Sequence, residues 1–386
     1  MIGIFNDCFP PIMDGVSVTA QNYARWISRR HKDVCVVTPG VPGATYDEGY
    51  PVYGYFSVPI PMRKPYRMGF PRVDFPFMSK IGRVGFSIVH AHSPFSSGKL
   101  AMKIARRQGI PLVATFHSKY RADFERAIPN RAMVDYLVKG VVDFYEQADE
   151  VWVPQAAVEE TLREYGYRGR VTVVENGNDM AQPGDLSPLR SEGRAMLGVG
   201  EEEKMLLFVG QHIYEKNPQL IIRSLARLRH MPWRMFFVGT GYAAEELQAL
   251  AASLGLGDRI TFLGQTSDRE KLKRCYAAAD LFLFPSLYDN APLVVREAAA
   301  MQTPSLLAAG STASEVVTDN VNGFVCKAEE GAFADRLAML MADDRLIRSV
   351  GKAARGTLAR PWSDIAAEVC DRYEHLIRRH AHTVCA

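Results

Sequence analysis

Two carboxylates, Asp289 and Glu297, lie eight positions apart where a strand signal gives way to a helix signal. The apolar run over residues 280–285 predicts a buried strand, the loop after it carries Asp289, and a helical run holds Glu297. Ligands of open α/β sheets bind where parallel strands end, so both carboxylates occupy a typical ligand position. Glu297 is suited to accept hydrogen bonds from a ribose diol. Phosphate oxygens can meet the backbone N–H groups near the helix start, those of Asn290, Ala291 and Leu293. The alternative is an ordinary strand–loop–helix with a capped N-terminus.

A cation that could bind phosphate lies in the loop over residues 210–217, after the apolar run 204–209. Lys216 stands just before the next helical run, where its ammonium can reach a diphosphate. A lysine there would stabilise the negative charge that builds on a leaving nucleotide when a sugar–phosphate bond breaks. Taken alone, Lys216 is equally well explained as a solvated residue at a helix start.

The first half of the chain carries a glycine and three histidines at predicted strand ends. The loop over residues 7–15 follows the first strand, and Gly15 permits close approach of a ligand to the backbone. His90, His92 and His117 end two further strands. A three-histidine metal site is an alternative, but no carboxylate or cysteine nearby in sequence completes it, so no metal is expected. His90 is expected to be a core histidine with a hydrogen-bonded ring.

Composition limits the classes of protein to which the chain can belong. It has 386 residues, of which 47% are hydrophobic and 23% charged, as expected for a globular protein of two domains. A formal net charge of +3 argues against a general nucleic-acid-binding protein. Six cysteines form no C-x-x-C pair, which argues against a zinc site and favours a reducing cytoplasm. Because no apolar stretch reaches about 18 residues and no signal peptide is recognised, neither a transmembrane helix nor secretion is expected.

The elements that must position these groups alternate between strand and helix in both halves of the chain. Short apolar runs alternate with helical runs up to residue 175, and the alternation restarts at residue 204. Such alternation predicts parallel strands with right-handed helical crossovers. Residues 176–200 are rich in Gly, Pro, Asn and Ser and are the best candidate for a linker. The sequence therefore predicts an α/β protein of two doubly wound domains that face a central cleft.

The motifs also occur in the order found in one enzyme family. From end to end, the chain resembles the retaining glycosyltransferases of family 4, whose signature is two acidic residues separated by seven. The resemblance rests on that pair, the lysine loop, the glycine turn at 237–241, the loop at 264–266 and the Asn-Gly turn at 175–179. This chain departs from the family at three places: Asp289 replaces the usual Glu, Gln211 the usual Arg, and Gly15-Val16 a pair of glycines.

The resemblance implies the GT-B fold, which consists of two Rossmann-like domains. The expected boundaries are 1–180 for the acceptor-side domain and 181–360 for the nucleotide-sugar-binding domain. Trp362 and Tyr373 resemble residues of the family's final helix, so the segment at about 361–386 is expected to pack back on the first domain.

The family's functional residues carry over to matching positions of this chain. Glu297 is expected on the ribose, Lys216 on the diphosphate, and Asp289 on the sugar hydroxyls. His117 is expected beside the transferred sugar. The implied catalytic residues are His117, Asp289 and Lys216. The implied donor-binding set is Gly15, Gln211, Lys216, Gly239, Gln265, Asp289, Asn290, Ala291, Pro292, Leu293 and Glu297.

The implied reaction moves a hexose from a UDP-sugar with retention at the anomeric carbon. Attack occurs on the same face that the leaving group departs, and the leaving phosphate takes the proton of the acceptor. No cofactor or metal ion is expected, since no D-x-D motif ends a predicted strand. A GDP-sugar stays an alternative donor, and the identity of the sugar is left open.

Residues 62–85 favour a lipid as the acceptor. One acid stands there among aromatic residues, prolines and six basic residues: Arg63, Lys64, Arg67, Arg72, Lys80 and Arg83. This mixture suits an anionic membrane, and a solvated surface loop is the alternative. The segment 3–11 also resembles bacterial members that glycosylate diacylglycerol or sphingolipids. The expected partners are therefore a nucleotide-sugar donor and a lipid at a membrane surface, with no nucleic acid. The expected location is cytoplasmic, peripheral on the inner face of the cell membrane.

Three other functions stay open at the level of sequence. One is a family 4 enzyme that acts on a soluble acceptor in polysaccharide or secondary-metabolite synthesis. Another is a sugar-nucleotide epimerase or a phosphorylase on the same fold. The third is a non-catalytic binding protein, which the replacements at Gln211 and Asp289 keep open. The sequence also leaves the oligomeric state open.

Overall fold

The computed structural model describes residues 1–61 and 65–384. Its strands are β1 (Ile2–Phe5), β2 (Val34–Pro39), β3 (Val52–Tyr55), β4 (Ser57–Pro59), β5 (Arg67–Gly69), β6 (Ile88–Ala91), β7 (Leu112–Thr115), β8 (Glu150–Val153), β9 (Val171–Val173), β10 (Lys204–Val209), β11 (Trp233–Val238), β12 (Ile260–Gly264), β13 (Leu281–Phe284), β14 (Ser305–Ala308) and β15 (Phe324–Cys326). Its helices are α1 (Gly15–Arg29), α2 (Phe75–Ile81), α3 (Ser96–Gln108), α4 (Tyr120–Ala127), α5 (Arg131–Tyr145), α6 (Ala156–Glu164), α7 (Ser187–Leu197), α8 (Pro218–Ala226), α9 (Ala244–Ser253), α10 (Arg269–Ala278), α11 (Leu293–Ala300), α12 (Glu330–Met341), α13 (Asp344–Leu358) and α14 (Trp362–Val384).

Two compact units divide the chain. The first comprises Met1–Asn176 together with the segment that begins at Trp362, and the second is Gly177–Pro361. The predicted boundaries at 180/181 and 360/361 lie within a few residues of these. Within the first unit, α14 packs on α1 and on the sheet: the ring of Trp362 lies 5.6 Å from that of Tyr23, and Tyr373 stacks on Trp152 at 5.7 Å.

A seven-stranded parallel sheet forms the centre of the first unit, in the order β3-β2-β1-β6-β7-β8-β9. Its inner strands β1, β2, β6 and β7 are buried along their whole length, as parallel strands covered by helices must be. The strand order reverses between β1 and β6. Loops that leave the carboxyl ends of strands at such a reversal form the usual ligand crevice, and the 7–15 loop follows β1 there.

The second unit repeats this plan with six parallel strands, in the order β12-β11-β10-β13-β14-β15. Here the order reverses between β10 and β13. The loop that carries Lys216 leaves β10, and the loop that carries Asp289 leaves β13. The neighbouring strands β10 and β13 therefore place Lys216, the predicted cation, and Asp289, a predicted carboxylate, at the same edge of the sheet.

A row of phenylalanines underlies that edge. The strand register aligns Phe208 with Phe237 and Phe237 with Phe262, and their ring centroids lie 5.5 and 5.0 Å apart. Phe284 on β13 continues the row at 5.9 Å from Phe208. These packed aromatic rings form a rigid apolar layer beneath the loops at this edge of the sheet.

The predicted linker over 176–200 was wrong in part, because α7 occupies Ser187–Leu197. Gly193 weakens the helix signal in the sequence. In the structure a Cβ at Gly193 would lie 2.2 Å from the carbonyl oxygen of Arg274, so the glycine lets α7 pack directly on α10. Arg190 and Arg194 add ion pairs to Asp280, at 2.5 and 3.3 Å. Tertiary contacts thus stabilise a helix that local propensity does not indicate.

The described part of the basic segment, residues 65–85, contains the second strand of an antiparallel hairpin and a short helix. Strands β4 and β5 pair from Ser57↔Gly69 to Pro59↔Arg67, and α2 follows. The predicted basic residues Arg63 and Lys64 lie outside the described residues. Among the described helices, none is both long enough and apolar enough to cross a bilayer.

Candidate functional site

Glycines let two loops of the second unit meet at the sheet edge. Gly210 directly follows β10, and Gly239 directly follows β11 with a φ of +131°. A Cβ on Gly239 would lie 2.0 Å from the carbonyl oxygen of Gly210, so only glycine fits there. The N–H of Gly239 donates to the carbonyl of Gly264, at 2.8 Å, which attaches the loop after β12. Predicted donor-site residues Gly239 and Gln265 therefore belong to one cluster of adjoining loops.

Lys216 and Asp289 form an ion pair at this edge. The Lys216 ammonium donates to Oδ1 of Asp289 at 2.9 Å and lies 5.3 Å above the ring of Phe284. Ser286 donates to the other carboxylate oxygen of Asp289 at 2.7 Å. The side chains of Lys216 and Asp289 are only 13% and 17% exposed, so their two charges neutralise each other in partial isolation from water. The structure thus brings together two residues that the sequence placed 73 positions apart.

Glu297 lies on α11 with both carboxylate oxygens engaged. Arg269 donates to Oε1 at 2.7 Å, and the hydroxyl of Tyr276 donates to Oε2 at 2.9 Å. Arg269 also pairs with Asp179. Burial lowers the pKa of Arg269, but the carboxylates of Glu297 and Asp179 outweigh it and hold the pKa above its usual range. Each oxygen of Glu297 keeps a second lone pair, which is the acceptor capacity that a diol needs.

Sequence reasoning missed Arg269 and Tyr276. Arg269 opens α10, and Tyr276 lies two turns further along the same helix. An arginine at the start of a helix is normally solvated, and a tyrosine on an apolar helix face is normally core, so neither residue type signals a role. Only the packing of α10 beside α11 reveals that both residues support Glu297.

The other predicted donor-site residues surround the start of α11. This helix begins at Leu293 with Pro292 at the N-cap, and the first turn of any helix has N–H groups without intrahelical acceptors. Asn290 is buried, whereas Ala291, Pro292 and Leu293 are half-buried. The macrodipole of α11 favours an anion at this end.

The predicted residues of the first unit cluster at the carboxyl edge of its own sheet. Gly15 begins α1, and the side chain of Asp14 caps that helix by accepting from the N–H of Ser17 at 2.7 Å. No atom lies within 4 Å of where a Cβ of Gly15 would be, so neither crowding nor its backbone angle demands glycine. Open space at this position is what close approach of a ligand requires.

Three histidines of the first unit are stacked beneath that edge. His90 is fully buried, and its ring nitrogens bond to the hydroxyls of Tyr373 and Thr115 at 2.5 and 2.7 Å, which confirms the predicted core histidine. Nδ1 of His92 lies 3.0 Å from Nε2 of His117. Burial lowers the pKa of all three rings, to about 3 for His117. In the described part of the chain, no group of three His, Cys, Asp or Glu side chains is arranged to hold a metal ion.

Comparison with known proteins identifies the family. The family model "Glycosyltransferase Family 4" matches residues 13–182, and "Glycosyl transferases group 1" matches residues 190–357. The D-inositol 3-phosphate glycosyltransferase of Xylanimonas cellulosilytica is 30% identical over 313 residues, which are 76% of this chain and 73% of that protein. The chain belongs to glycosyltransferase family 4.

Other family members extend the likeness. The alpha-monoglucosyldiacylglycerol synthase of Streptococcus pneumoniae is 25% identical over 351 residues, which cover 88% of this chain and 78% of that enzyme. Among solved structures, Anabaena Alr3699/HepE in complex with UDP and glucose superposes with a TM-score of 0.78 at 18% identity, covering 97% and 99% of the two chains. The fold of this family 4 glycosyltransferase is therefore GT-B.

The chain lacks the arginine that family 4 members usually have at the position of Gln211, and the neighbouring histidine does not replace its charge. Gln211 replaces the Arg and is exposed. The neighbouring His212 is only 1% exposed, and its ring packs against Phe208, Phe237 and Phe262. Burial lowers the pKa of His212 to about 4, so the ring is neutral near pH 7. His212 therefore does not supply a positive charge in place of that Arg.

Proposed function

We propose that this glycosyltransferase moves a hexose from a UDP-sugar to the hydroxyl of a membrane lipid of the diacylglycerol or ceramide type, with retention at the anomeric carbon. The observation that carries the proposal is the convergence of Lys216, Asp289 and Glu297 at one sheet edge, beside the start of α11. A cation, a helix N-terminus and two carboxylates are the groups that a nucleotide sugar needs.

Each group of the second unit has a role in donor binding. Glu297 accepts hydrogen bonds from the ribose hydroxyls, and Arg269 and Tyr276 hold its carboxylate in place. Lys216 binds the diphosphate, which must loosen the ion pair between Lys216 and Asp289. Asp289 then accepts hydrogen bonds from hydroxyls of the sugar. Anabaena Alr3699/HepE, whose structure contains UDP and glucose, supports UDP over other nucleotides.

Catalysis follows from charge that develops on the leaving diphosphate. As the anomeric bond breaks, negative charge grows on the β-phosphate, and the Lys216 ammonium and the dipole of α11 stabilise it. The acceptor hydroxyl attacks from the same face and gives its proton to the departing phosphate oxygen. In the first unit, His117 and the Gly15 loop orient the sugar and the acceptor. No step in this scheme uses a metal ion.

A lipid acceptor is supported by an exposed surface on the first unit, which we call the apolar hairpin surface. In the hairpin, Val58 pairs with Met68, and Phe56 lies beside Phe70 on the same face with ring centroids 6.4 Å apart. Val73 and Phe75 extend the surface and are 60% and 77% exposed. Exposed apolar groups of this kind, contiguous in the hairpin, mark interaction sites.

Basic residues accompany the apolar hairpin surface. Arg72 and Lys80 are exposed, and Arg67 is half-buried with its guanidinium bonded to Ser57. Apolar side chains for the acyl region and cations for anionic headgroups are the combination that a peripheral membrane protein uses. The name of the Streptococcus pneumoniae relative, a glucosyldiacylglycerol synthase, points to the same class of acceptor.

A soluble acceptor is the second candidate. The Xylanimonas cellulosilytica relative is named for D-inositol 3-phosphate, a small soluble molecule, and it is more similar in sequence over its matched region than the glucosyldiacylglycerol synthase. An acceptor assay decides between the two candidates.

The deciding experiment incubates the purified protein with a panel of UDP- and GDP-sugars and measures nucleoside diphosphate release. Each donor is tested with vesicles of diacylglycerol or ceramide, with soluble polyols, and alone. The proposal expects release from one UDP-sugar that depends on lipid vesicles. Glu297→Gln, which keeps the shape of the side chain, should lose that release. Release that polyols stimulate and vesicles do not would establish the soluble acceptor, and release with GDP-sugars alone would overturn the assignment of UDP.

A further inference from the structure

The carboxylate of Asp7 lies at the strand-order reversal of the first unit. Asp7 follows β1, and its Oδ2 accepts a hydrogen bond from the hydroxyl of Ser93 at 2.5 Å. Its Oδ1 accepts from the backbone N–H of Ser97 at 2.9 Å and from the hydroxyl of Ser96. This one side chain therefore joins the loops after β1 and β6 at the point where ligands of open α/β sheets bind.

Both helices that begin at this reversal have a carboxylate at their first turn. Helix α3 has no cap from the side chain of Phe95, the residue before it, and the N–H of Ser97 donates to Asp7 instead. Helix α1 is capped by Asp14, which accepts from the N–H of Ser17 at 2.7 Å. Phosphates bind at helix starts through such N–H groups, so here each phosphate position is already taken by a negative charge.

The reversal in the second unit has the opposite arrangement. Helices α8 and α11 begin there, and neither start has a cap from a side chain in the described part of the chain. The carboxylate of Asp289, in the loop before α11, is neutralised by Lys216 at 2.9 Å. One crevice therefore offers a cation and open helix starts, which suit a phosphate, whereas the other offers two carboxylates.

No cation neutralises these two carboxylates. Among residues 1–61 and 65–384, neither Asp7 nor Asp14 forms an ion pair; serine hydroxyls and backbone N–H groups donate to them. The basic residues nearby in sequence are Lys99 in the first turn of α3, which is exposed, and Lys119 before α4. Burial lowers the pKa of the three histidines stacked beneath this edge, so they add no positive charge near pH 7.

The hairpin that carries the apolar surface adjoins Asp7. Gly69 of β5 lies against the start of α3, where a Cβ would be 2.7 Å from Oγ of Ser96, a donor to Asp7. The hydroxyl of Tyr55, at the end of β3, lies 2.6 Å from that of Ser97. A glycosyl acceptor that enters from the hairpin therefore passes the half-buried carboxylate of Asp7.

We propose that Asp7, together with Asp14, is a specificity-determining residue that restricts the glycosyl acceptor to hydroxyl compounds without a phosphate near the reacting hydroxyl. The inference rests on the proposed function in placing the glycosyl acceptor in the first unit. A carboxylate accepts a hydrogen bond from a neutral hydroxyl but repels a phosphate. Diacylglycerol and ceramide meet this restriction. D-inositol 3-phosphate, for which the Xylanimonas cellulosilytica relative is named, does not.

A binding experiment tests the inference without any reaction. The full-length protein is incubated with millimolar myo-inositol 3-phosphate or with myo-inositol, its neutral control, and hydrogen exchange is measured over residues 7–19 and 92–100. We expect the phosphorylated probe to give no protection in the wild type. The double variant Asp7→Asn with Asp14→Asn keeps the shape of both side chains, and asparagine caps a helix as well as aspartate does. We expect it to gain protection by the phosphorylated probe.

The preference between glycosyl acceptors provides the second measurement. With the donor identified above, kcat/KM is compared for diacylglycerol and phosphatidylglycerol, and for myo-inositol and its 3-phosphate. We expect the wild type to prefer the neutral member of the pair that it uses at least about tenfold, and each Asp→Asn change to reduce this preference about three- to tenfold. Added salt should reduce it in the wild type but not in the double variant, a dependence that a packing defect would not produce.

Asp33→Asn is the matched control. It makes the same change in net charge in the same unit, but Asp33 is exposed and precedes β2, at the opposite edge of the sheet. We expect it to leave the preference between glycosyl acceptors unchanged.

Two outcomes would overturn the inference. One is a wild type that binds inositol 3-phosphate at the starts of α1 and α3, or that uses a phosphorylated glycosyl acceptor as well as the neutral one. The other is a folded double variant with no gain in protection and no change in preference. Failure of the proposed function is distinguishable from both. Use of a neutral soluble polyol would exclude the lipid but agree with this inference, and without any nucleoside diphosphate release the binding experiment alone decides it.

Discussion

At the scale of single residues, the proposed donor site contains charged side chains that are paired with one another. Lys216 is neutralised by Asp289, and Glu297 by Arg269. A pair that is mostly shielded from water needs its partner, because removing one member leaves a poorly solvated charge. These ion pairs therefore hold the proposed donor-binding groups in fixed positions, and under the proposed function a nucleotide sugar competes with Asp289 for Lys216.

Replacement of Lys216 tests whether this cation serves the leaving group. We expect Lys216→Ala to lower kcat by about 10²–10³-fold, the range for losing one group that stabilises charge in a transition state. Lys204→Ala is the matched control, because Lys204 also forms an ion pair in the second unit but lies at the opposite end of β10. Steady-state release of nucleoside diphosphate measures both. Equal losses in the two variants would show that Lys216 supports only the fold.

Arg269 provides a second prediction, on a residue that the sequence did not reveal. Arg269→Ala leaves the buried carboxylate of Glu297 with the hydroxyl of Tyr276 as its one hydrogen-bond donor among the described residues. We therefore expect a loss of about 3 kcal/mol in the free energy of unfolding and a raised KM for the sugar nucleotide. Arg269→Lys keeps the charge and should restore part of both. A double-mutant cycle with Glu297→Gln measures the coupling, and additive effects would contradict a supporting role for Arg269.

His212 predicts a dependence of stability on pH. Its pKa falls from the ordinary value near 6.5 to about 4 in the folded protein, because its ring is buried. As the pH falls, the His212 ring of the unfolded chain therefore takes up its proton at a higher pH than the ring of the folded protein. The stability from the neutral ring is complete above about pH 6.5 and declines towards pH 4 by at most about 1.4 kcal/mol per pH unit. Urea unfolding at a series of pH values gives the free energy of unfolding of the wild type and of His212→Leu. Between pH 6.5 and 4 this free energy should fall more steeply for the wild type, and parallel pH dependences would disprove the lowered pKa of His212.

How much of the site the sequence reveals depends on how local each signal is. Asp289 and Glu297 share one loop and one helix, so their spacing was sufficient to predict them. The pairing of Lys216 with Asp289 needs the neighbouring positions of β10 and β13, which no local pattern contains. Arg269 contacts Glu297 and also pairs with Asp179, and no local pattern in the sequence predicts either contact.

At the scale of elements, the apolar hairpin surface is the feature that the fold itself does not explain. Its exposed side chains are Phe56, Val58, Met68, Phe70, Val73 and Phe75. The buried face of the hairpin contains Ser57, whose hydroxyl donates to the carbonyl of Gly40. The period of two along the strands thus directs one set of residues inwards and leaves the apolar set in solvent.

Substitutions in the hairpin test its contact with membranes. We expect the double variant Met68→Ser with Phe75→Ser to reduce binding to anionic vesicles at least about tenfold, because it removes two side chains from the lipid contact. Tyr136→Ser on α5 is the control, since Tyr136 is 72% exposed in the same unit but outside the surface. Added salt should weaken binding further by screening Arg72 and Lys80. Vesicle sedimentation measures all of these, and unchanged binding in the double variant would remove the support for a lipid acceptor.

The elements themselves were predicted best where periodicity is strong. The apolar periodicity of residues 132–147 predicts a helix, and α5 lies at Arg131–Tyr145. The pattern of residues 294–301 likewise predicts a helix, and α11 lies at Leu293–Ala300. Strand β3 was missed because Gly54 interrupts a run of only four residues, and it is stabilised by its register with β2. Helix α7 was missed for a similar reason, since its stability comes from α10.

At the scale of the whole molecule, the chain builds two parallel sheets that each reverse their strand order once, between β1 and β6 and between β10 and β13. Each reversal positions loops with polar residues at a carboxyl edge, so the fold supplies two ligand crevices. The groups proposed to bind phosphate lie at the second one, where Lys216 pairs with Asp289 in the loop that precedes α11. The first holds neutral histidines instead. The donor nucleotide is therefore expected in Gly177–Pro361 and the acceptor in the other unit.

Hydrogen exchange of the intact protein, with and without UDP, tests whether the nucleotide binds in the second unit. We expect UDP to slow exchange in the loops over 210–217, 239–243 and 286–293 of the second unit, because a ligand that binds only the folded state stabilises what it contacts. At about 100 times its dissociation constant, UDP should also stabilise the protein by about 2.7 kcal/mol in urea unfolding. Uridine is the matched control, because it lacks the diphosphate that Lys216 is proposed to bind. Glu297→Gln should weaken the protection by UDP, because it removes a charged acceptor for the ribose hydroxyls. Protection confined to residues 1–176 would place the nucleotide in the other crevice and overturn the assignment of Lys216, Asp289 and Glu297 together.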